Sequence, residues 1–433
     1  MEHATIVAIA TAPGRGAIGV IRVSGPRARA VLEHLAPGLT PAPRVATLTR
    51  VVVNGAVVDQ ALVLWFPGPR SYTGEDVVEL HTHGAPRLLQ LLLHEAAREP
   101  GVRLAEPGEF TRRALLNGRL DLTRAEAVID LVDARSLVEV RAAAARLEGG
   151  LARLLDELYQ PLLALSAELE GVLDFPDDAD DVESAAPALE GCLALARRLE
   201  LSAEASTRVR QGGLVVLYGP VNAGKSTLFN RLVGSARALV DEEPGTTRDA
   251  LEAFVEVGGQ TVTLVDTAGL RDGAARVEAL GMERTRQALR EADVAVLLVP
   301  PGAPADVLAG LRAEVEDSRR VEVRGKADLL GAGGAGLAVS GLDGRGVDEL
   351  LEVLRGKLGD FTGDAGLAGE RHLAGLRSVR EALERARGAL EGSTVEVMAG
   401  EVSLALSALA EVMGREVSRA RLDALFERFC IGK

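Results

Sequence analysis

The stretch Gly219-Pro220-Val221-Asn222-Ala223-Gly224-Lys225-Ser226, near the middle of a 433-residue chain, has the spacing of a phosphate-binding loop. Its glycines let successive backbone N–H groups turn toward phosphate oxygens. Lys225 can reach the β- and γ-phosphates, and the Ser226 hydroxyl suits Mg²⁺. Leu214-Val215-Val216-Leu217-Tyr218 just before it reads as a buried parallel strand, and Lys225 to Val233, with Thr227 in the first turn, reads as a helix whose N-terminus favours anions. Long flanks on both sides make the nucleotide domain an insertion.

Working outward, four more segments follow in the order of a GTPase. Gly245-Thr246-Thr247 offers a hydroxyl at Thr247 for Mg²⁺, and Asp266-Thr267-Ala268-Gly269, ending an apolar strand, offers a carboxylate near the metal and an N–H for the γ-phosphate. Gly325-Lys326-Ala327-Asp328 places a carboxylate for the donor edge of guanine, and Ser340-Gly341-Leu342 forms a loop under the base. Leu270 stands where many GTPases have a water-orienting glutamine, so another group must orient the nucleophile. The amide oxygen of Asn222 is a hard ligand for a second cation.

A hydrophobic fraction of 47% with 26% charged residues is globular, and 433 residues suggest two or three domains. The N-terminus lacks a basic segment ahead of an apolar run, and no run of about 18 apolar residues occurs, so the expected location is cytoplasmic with no membrane span. Two cysteines form no disulfide framework. A net charge of −14 argues against a general nucleic-acid coat, although residues 1–50 carry six arginines against two glutamates.

Short β-rich runs fill residues 1–118, an α+β domain with strands at 5–10, 17–23 and 60–66 and a helix at 87–98. Residues 119–210 and 361–433 are helical by periodicity, Pro161 is expected to kink or break the second long helix, and 211–360 is the inserted domain, closed by a glycine-rich stretch. Arg319 to Val323 is short and charged for a buried strand.

The chain also resembles, nearly end to end, the tRNA-modifying GTPase family MnmE, also called TrmE. The resemblance rests on Pro13-Gly14-Arg15-Gly16-Ala17-Ile18-Gly19, Ser71-Tyr72-Thr73-Gly74-Glu75, Pro107-Gly108-Glu109-Phe110-Thr111, Asn117-Gly118-Arg119-Leu120-Asp121-Leu122 and the tail Phe429-Cys430-Ile431-Gly432-Lys433. It implies an N-terminal α+β folate-binding-like domain that dimerises, a helical domain, and an inserted P-loop GTPase domain of the Ras-like α/β kind. It further implies a potassium-dependent GTPase with K⁺ at Asn222, Asp241, Glu243 and Thr246, a water-orienting Glu278, and 5-formyltetrahydrofolate at Arg22, Glu79, Arg119 and Lys433. Implied partners are a second copy, the flavoprotein MnmG in a heterotetramer, and a tRNA whose wobble uridine is modified at carbon 5. One match fails: the family's guanine motif begins with asparagine, and this chain has Gly325.

Other readings stay open. A ribosome-assembly GTPase would want an appended RNA-binding module, and a decayed nucleotide domain serving only as a dimer scaffold would have no reason to keep Lys225, Ser226, Thr247, Asp266 and Glu278 together. Cys192 reads as core; Cys430 is either a packed small residue or a group in one-carbon chemistry. His81-Thr82-His83 invites a metal reading, which alternation of side chains along a strand disfavours.

Overall fold

The computed structural model describes residues 4–134, 136–174, 185–235, 252–267, 285–329, 336–358, 368–390, 395–415, 422, 425–427 and 429–432. It divides into two compact units, Met1–Ile129 with Ala410–Lys433, and Asp130–Leu409. Among the described residues no helix is long and apolar enough to cross a membrane.

In the first unit, β-branched residues at alternate positions build β1 (Thr5–Ile9), β2 (Gly16–Ser24), β3 (Thr47–Val53), β4 (Ala56–Phe66), β5 (Val77–Gly84) and β6 (Val102–Leu104). They form one sheet in the order β3-β4-β5-β2-β1-β6, antiparallel except where β1 meets β6. Ile21, Val23, Val63 and Leu80 face the helices Ala28–Leu35 and Pro86–Ala97, whose Val31, Leu32, Leu35, Leu89 and Leu92 close the core. By compactness, the tail from Ala410 groups with this unit. Phe426 and Phe429 bury against Ala125, with ring centroids 5.1 Å apart. Gly432 lies so close to β1 that a Cβ there would stand 2.5 Å from the Ile9 carbonyl oxygen.

The second unit begins with the helices Leu137–Leu147, Gly150–Asp174 and Ala186–Gln211. Leu151, Leu155, Leu158, Leu162, Leu165 and Leu169 recur every three or four residues and are buried, the stripe of an amphipathic helix. Of the expected kink or break at Pro161, the break does not occur, since the helix continues past it to Asp174. Pro161 is exposed, so the carbonyl it leaves unpaired one turn earlier faces the solvent side. The acidic run expected as a loop after Asp174 falls in 175–184, outside the described residues.

The two helical flanks pair with each other. Arg197 reaches Glu384 at 2.9 Å, and Glu200 takes Arg380 at 2.5 Å and Arg377 at 3.4 Å, linking Ala186–Gln211 to Glu370–Ala389. Between them in the chain lies a five-stranded sheet of β7 (Gly213–Tyr218), β8 (Glu252–Val257), β9 (Gln260–Asp266), β10 (Val294–Val299) and β11 (Arg320–Arg324). Its order is β11-β10-β7-β9-β8, parallel except for the β8–β9 hairpin. The insertion closes on itself: a Cβ on Gly213 would lie 2.6 Å from Leu358, at the end of helix Val347–Leu358.

The charged strand β11 has a simple reason. It is the sheet's edge, with Val321 and Val323 buried while Glu322 points outward to accept two bonds from Arg312 at 2.9 and 2.6 Å. Edge strands tolerate such charge and are guarded by it.

Candidate nucleotide and one-carbon sites

The C-terminal ends of the parallel strands gather those residues expected at a nucleotide site that are described. β7 runs into the phosphate loop, in which Asn222 and Gly224 hold φ of 61° and 98°, a left-handed kink that turns N–H groups into a concave nest. Asn222 and Ser226 are exposed at its mouth, while Ala223 and Lys225 are buried. Lys225 Nζ donates to the carbonyls of Gly219 (3.1 Å) and Pro220 (2.9 Å), so its charge sits over the loop's own backbone. Thr227 belongs to the first turn of helix Lys225–Ser235.

Asp266 ends β9 in register with Leu217 and is buried. Thr267 Oγ1 donates to the Leu217 carbonyl at 2.9 Å, which ties the end of β9 to the strand feeding the phosphate loop. Asp241, Glu243, Gly245, Thr246, Thr247, Ala268, Gly269 and Glu278 lie outside the described residues, as do Leu270 and Lys433.

At the base end, Ser340 Oγ donates to Asp328 at 2.8 Å and accepts the N–H groups of Leu342 and Asp343 at 3.2 and 3.3 Å. That hydroxyl organises the loop and fixes the carboxylate. Gly341 packs directly on the phosphate-loop helix, where a Cβ would fall 2.6 Å from the Leu228 nitrogen. Two arginines that sequence reading did not single out hold this end together. Arg231 Nε donates to the Gly341 carbonyl at 3.1 Å, and Arg345 donates to the Ala327 carbonyl at 3.2 Å. Lys326, at φ 57°, marks the bend between β11 and Asp328.

In the first unit, Arg22 on β2 and Glu79 on β5 face each other in register and pair at 2.9 Å. Arg22 also donates to the Gly432 carbonyl at 3.2 Å, which brings Gly432 to this pair. The guanidinium stands 5.7 Å from the ring centroids of both Tyr72 and Phe110. Burial raises the Tyr72 hydroxyl above its usual pKa, outweighing its bond to Thr111 and the nearby Arg22 charge. Arg119 is exposed and donates to the Ser71 carbonyl at 3.2 Å. His81 turns to Glu79 (3.2 Å) and His83 to Asp59 (2.7 Å), each on its own carboxylate rather than on a shared centre. Cys192 is buried, its thiol pushed up to about 11 by burial, and Cys430 is exposed.

With this geometry in place, comparison with known proteins is decisive. Residues 5–119 match the family model of the GTP-binding protein TrmE N-terminus, and 122–430 match that of the MnmE helical domain. A tRNA modification GTPase MnmE of Myxococcus xanthus is 53% identical over 99% of both chains. Another, from Methylorubrum populi, is 44% identical over 100% of this chain and 99% of its own. The chain belongs to the MnmE family of tRNA modification GTPases.

Within MnmE, Gly325 is the departure that the structure explains. A Cβ at this position would lie 2.9 Å from the Ala223 carbonyl oxygen, so here the backbone of the base motif closes directly on the phosphate loop. The Gly325 N–H meanwhile donates to Val299 at 2.9 Å, holding the backbone in place. Overpacking of this kind costs about 1–3 kcal/mol. Gly325→Ala should therefore weaken GTP affinity by about 5-fold or more at 1.4 kcal/mol per tenfold. Gly325→Asn should fail to strengthen it, because one added hydrogen bond returns only about 1 kcal/mol. Titration with a fluorescent GTP analogue measures both, and tighter binding by the asparagine variant would refute the packing account.

Proposed function

We propose that this tRNA modification GTPase is driven by potassium and acts as a homodimer whose nucleotide domains close on each other with GTP bound. The reading rests on one observation. Parallel strands deliver the phosphate loop, Asp266 with Thr267, and the Asp328–Ser340 pair to one edge of a sheet, the edge at which open α/β sheets bind ligands. Asn222, Ala223, Gly224, Lys225, Ser226 and Thr227 cradle the phosphates, and Lys326, Asp328, Ser340, Gly341 and Leu342 take the base.

Ser226 and Asp266 are hard oxygen donors that fit Mg²⁺, joined by Thr247, and that ion supplies charge neutralisation on the phosphates when bound. The exposed Asn222 amide fits K⁺, joined by Asp241, Glu243 and Thr246. Leucine at 270 cannot hydrogen-bond the attacking water, and the family resemblance gives that work to Glu278, acting directly or through a bridging water.

In the first unit, Arg22, Glu79, Arg119 and Lys433 are read as the site of 5-formyltetrahydrofolate. A carboxylate suits the pterin's donor edge, guanidiniums suit an anionic tail, and the rings of Tyr72 and Phe110 beside Arg22 suit a planar ligand. Cys430, exposed two residues before Gly432, is placed by the family resemblance beside that site. With the flavoprotein MnmG, in a heterotetramer, the enzyme adds a carboxymethylaminomethyl or aminomethyl group to carbon 5 of the wobble uridine of its cytoplasmic tRNA substrates.

The test is GTP hydrolysis in KCl against NaCl at equal ionic strength. The expected result is turnover at least about tenfold higher in KCl, a difference of about 1.4 kcal/mol in the barrier. Equal turnover in the two salts would remove potassium from the mechanism.

A further inference from the structure

Charge divides unevenly between the two units. Met1–Ile129 with Ala410–Lys433 holds 19 Lys and Arg against 16 Asp and Glu, a balance of +3, which leaves −17 for Asp130–Leu409 out of the chain's −14. On net charge, a nucleic-acid backbone is favoured at the first unit and disfavoured at the second.

Within the first unit, three exposed arginines converge on the end of β4. Arg29, on helix Ala28–Leu35, places its guanidinium 4.4 Å from the ring centroid of Trp65. Arg44 donates its backbone N–H to the Trp65 carbonyl at 2.8 Å and its guanidinium to the carbonyl of Arg70. Stacking on the indole and bonding to a main-chain carbonyl fix two of these long side chains at low further entropic cost, while leaving N–H groups in the guanidinium plane to donate outward.

The nearby acids are engaged elsewhere. Glu33, one turn after Arg29, accepts the Gly38 N–H at 2.9 Å, and Asp76 accepts that of Gly68 at 2.9 Å. Among the described residues none of the three arginines has a carboxylate partner. The chain continues from Arg70 to Ser71, whose carbonyl accepts a bond from Arg119 at 3.2 Å.

We propose that Arg29, Arg44 and Arg70 form a phosphate-binding ridge for the backbone of the tRNA substrate, with Trp65 as the platform that orders it. Sequence-independent phosphate contacts position an RNA without selecting it, which suits a ridge leading toward a modification site. The chain's single tryptophan makes the ridge directly observable. Trp65 Nε1 is buried and unbonded, so the ring's surroundings are its packing, with Arg29 upon it.

The experiment titrates the full chain with a fluorescently labelled unmodified tRNA transcript by anisotropy between 50 and 200 mM KCl. In parallel, emission of Trp65 is followed with unlabelled transcript. Arg29→Ala/Arg44→Ala/Arg70→Ala should bind at least about tenfold more weakly, and the slope of log K against log salt should fall by about 2 to 3, close to 0.9 for each phosphate no longer neutralised. The corresponding triple lysine variant should keep most of the affinity, and GTP hydrolysis without tRNA should be unchanged in both. Arg70→Glu alone, at an exposed position, should lower affinity and keep the fold if the triple variant does not. Trp65 emission should change with the same midpoint as anisotropy. Wild-type affinity and slope in the triple alanine or Arg70→Glu variant, or no binding of tRNA by the unsubstituted chain, would overturn the proposal.

Discussion

Lys225→Ala is expected to lower kcat/KM for GTP by about 10³-fold, the scale of removing one preorganised donor from a developing anion. Lys225 is only 6% exposed, and its ammonium is fixed by two loop carbonyls rather than free in solvent. A charge held this way is preorganised, so it meets phosphate oxygens without first being ordered. Removing it takes away a positive charge held against the loop and leaves the Gly219 and Pro220 carbonyls without that donor. The loss should fall on phosphate binding and on turnover together. Lys225→Arg should not rescue, because a planar, wider guanidinium cannot occupy the space of a compact ammonium between two carbonyls. Phosphate release and nucleotide titration, with circular dichroism to check the fold, measure the effect; a loss below about tenfold would mean the lysine is structural.

Where a residue's role depends on near neighbours, the sequence was a sufficient guide. The strand–loop–helix around Gly219–Ser226 is local, and it appears as read, with β7 before it and helix Lys225–Ser235 after it. The leucine stripe of Gly150–Asp174 is equally local. That Pro161 sits inside its helix without ending it was not legible, because the cost of proline depends on whether the freed carbonyl can meet water, and exposure is a tertiary property. Strand β11 looked too charged because being an edge is likewise a property of the whole sheet. Contacts between distant residues were the least legible: Arg22 with the Gly432 carbonyl spans 410 positions, and Gly325 closes on Ala223 from another strand of the sheet. Neither leaves a spacing that a reader of the chain could measure. The residues they join were nonetheless marked, because each belongs to a motif quoted for other reasons.

Arg113→Ala is expected to destabilise the first unit by about 3–5 kcal/mol, the cost of breaking a buried ion pair from one side. Arg113 is 7% exposed, donates to both oxygens of Glu75 at 3.1 Å, to Glu109 at 2.9 Å and to the Ala4 carbonyl at 2.8 Å. Glu75 in turn accepts from Ser24 at 2.6 Å, whose hydroxyl meets Thr73 at 2.7 Å, so one cation anchors the start of β1, the end of β2 and the Ser71–Glu75 loop together. Without it two carboxylates face each other across the same space, with Arg103 left to serve Glu109 alone at 2.6 Å. Burial works to raise the Glu109 carboxyl, but bonds from Arg103, the Glu106 N–H and Arg113 outweigh it and hold the pKa below its usual 4.5. A carboxyl held lower in the folded chain than in the unfolded one stabilises fully above the unfolded value, and that stabilisation is lost as pH falls through the folded value. The gap between wild type and variant should therefore be widest near neutral pH and narrow below about 4.5, as Glu109 protonates and needs the arginine less. Scanning calorimetry should place the variant's transition about 10 °C lower at pH 7, using about 2–4 °C per kcal/mol for a unit of this size. A gap that is small, or that stays constant as pH falls from about 7 to well below about 4.5, would mean that the network fills space without the electrostatic stabilisation its geometry implies.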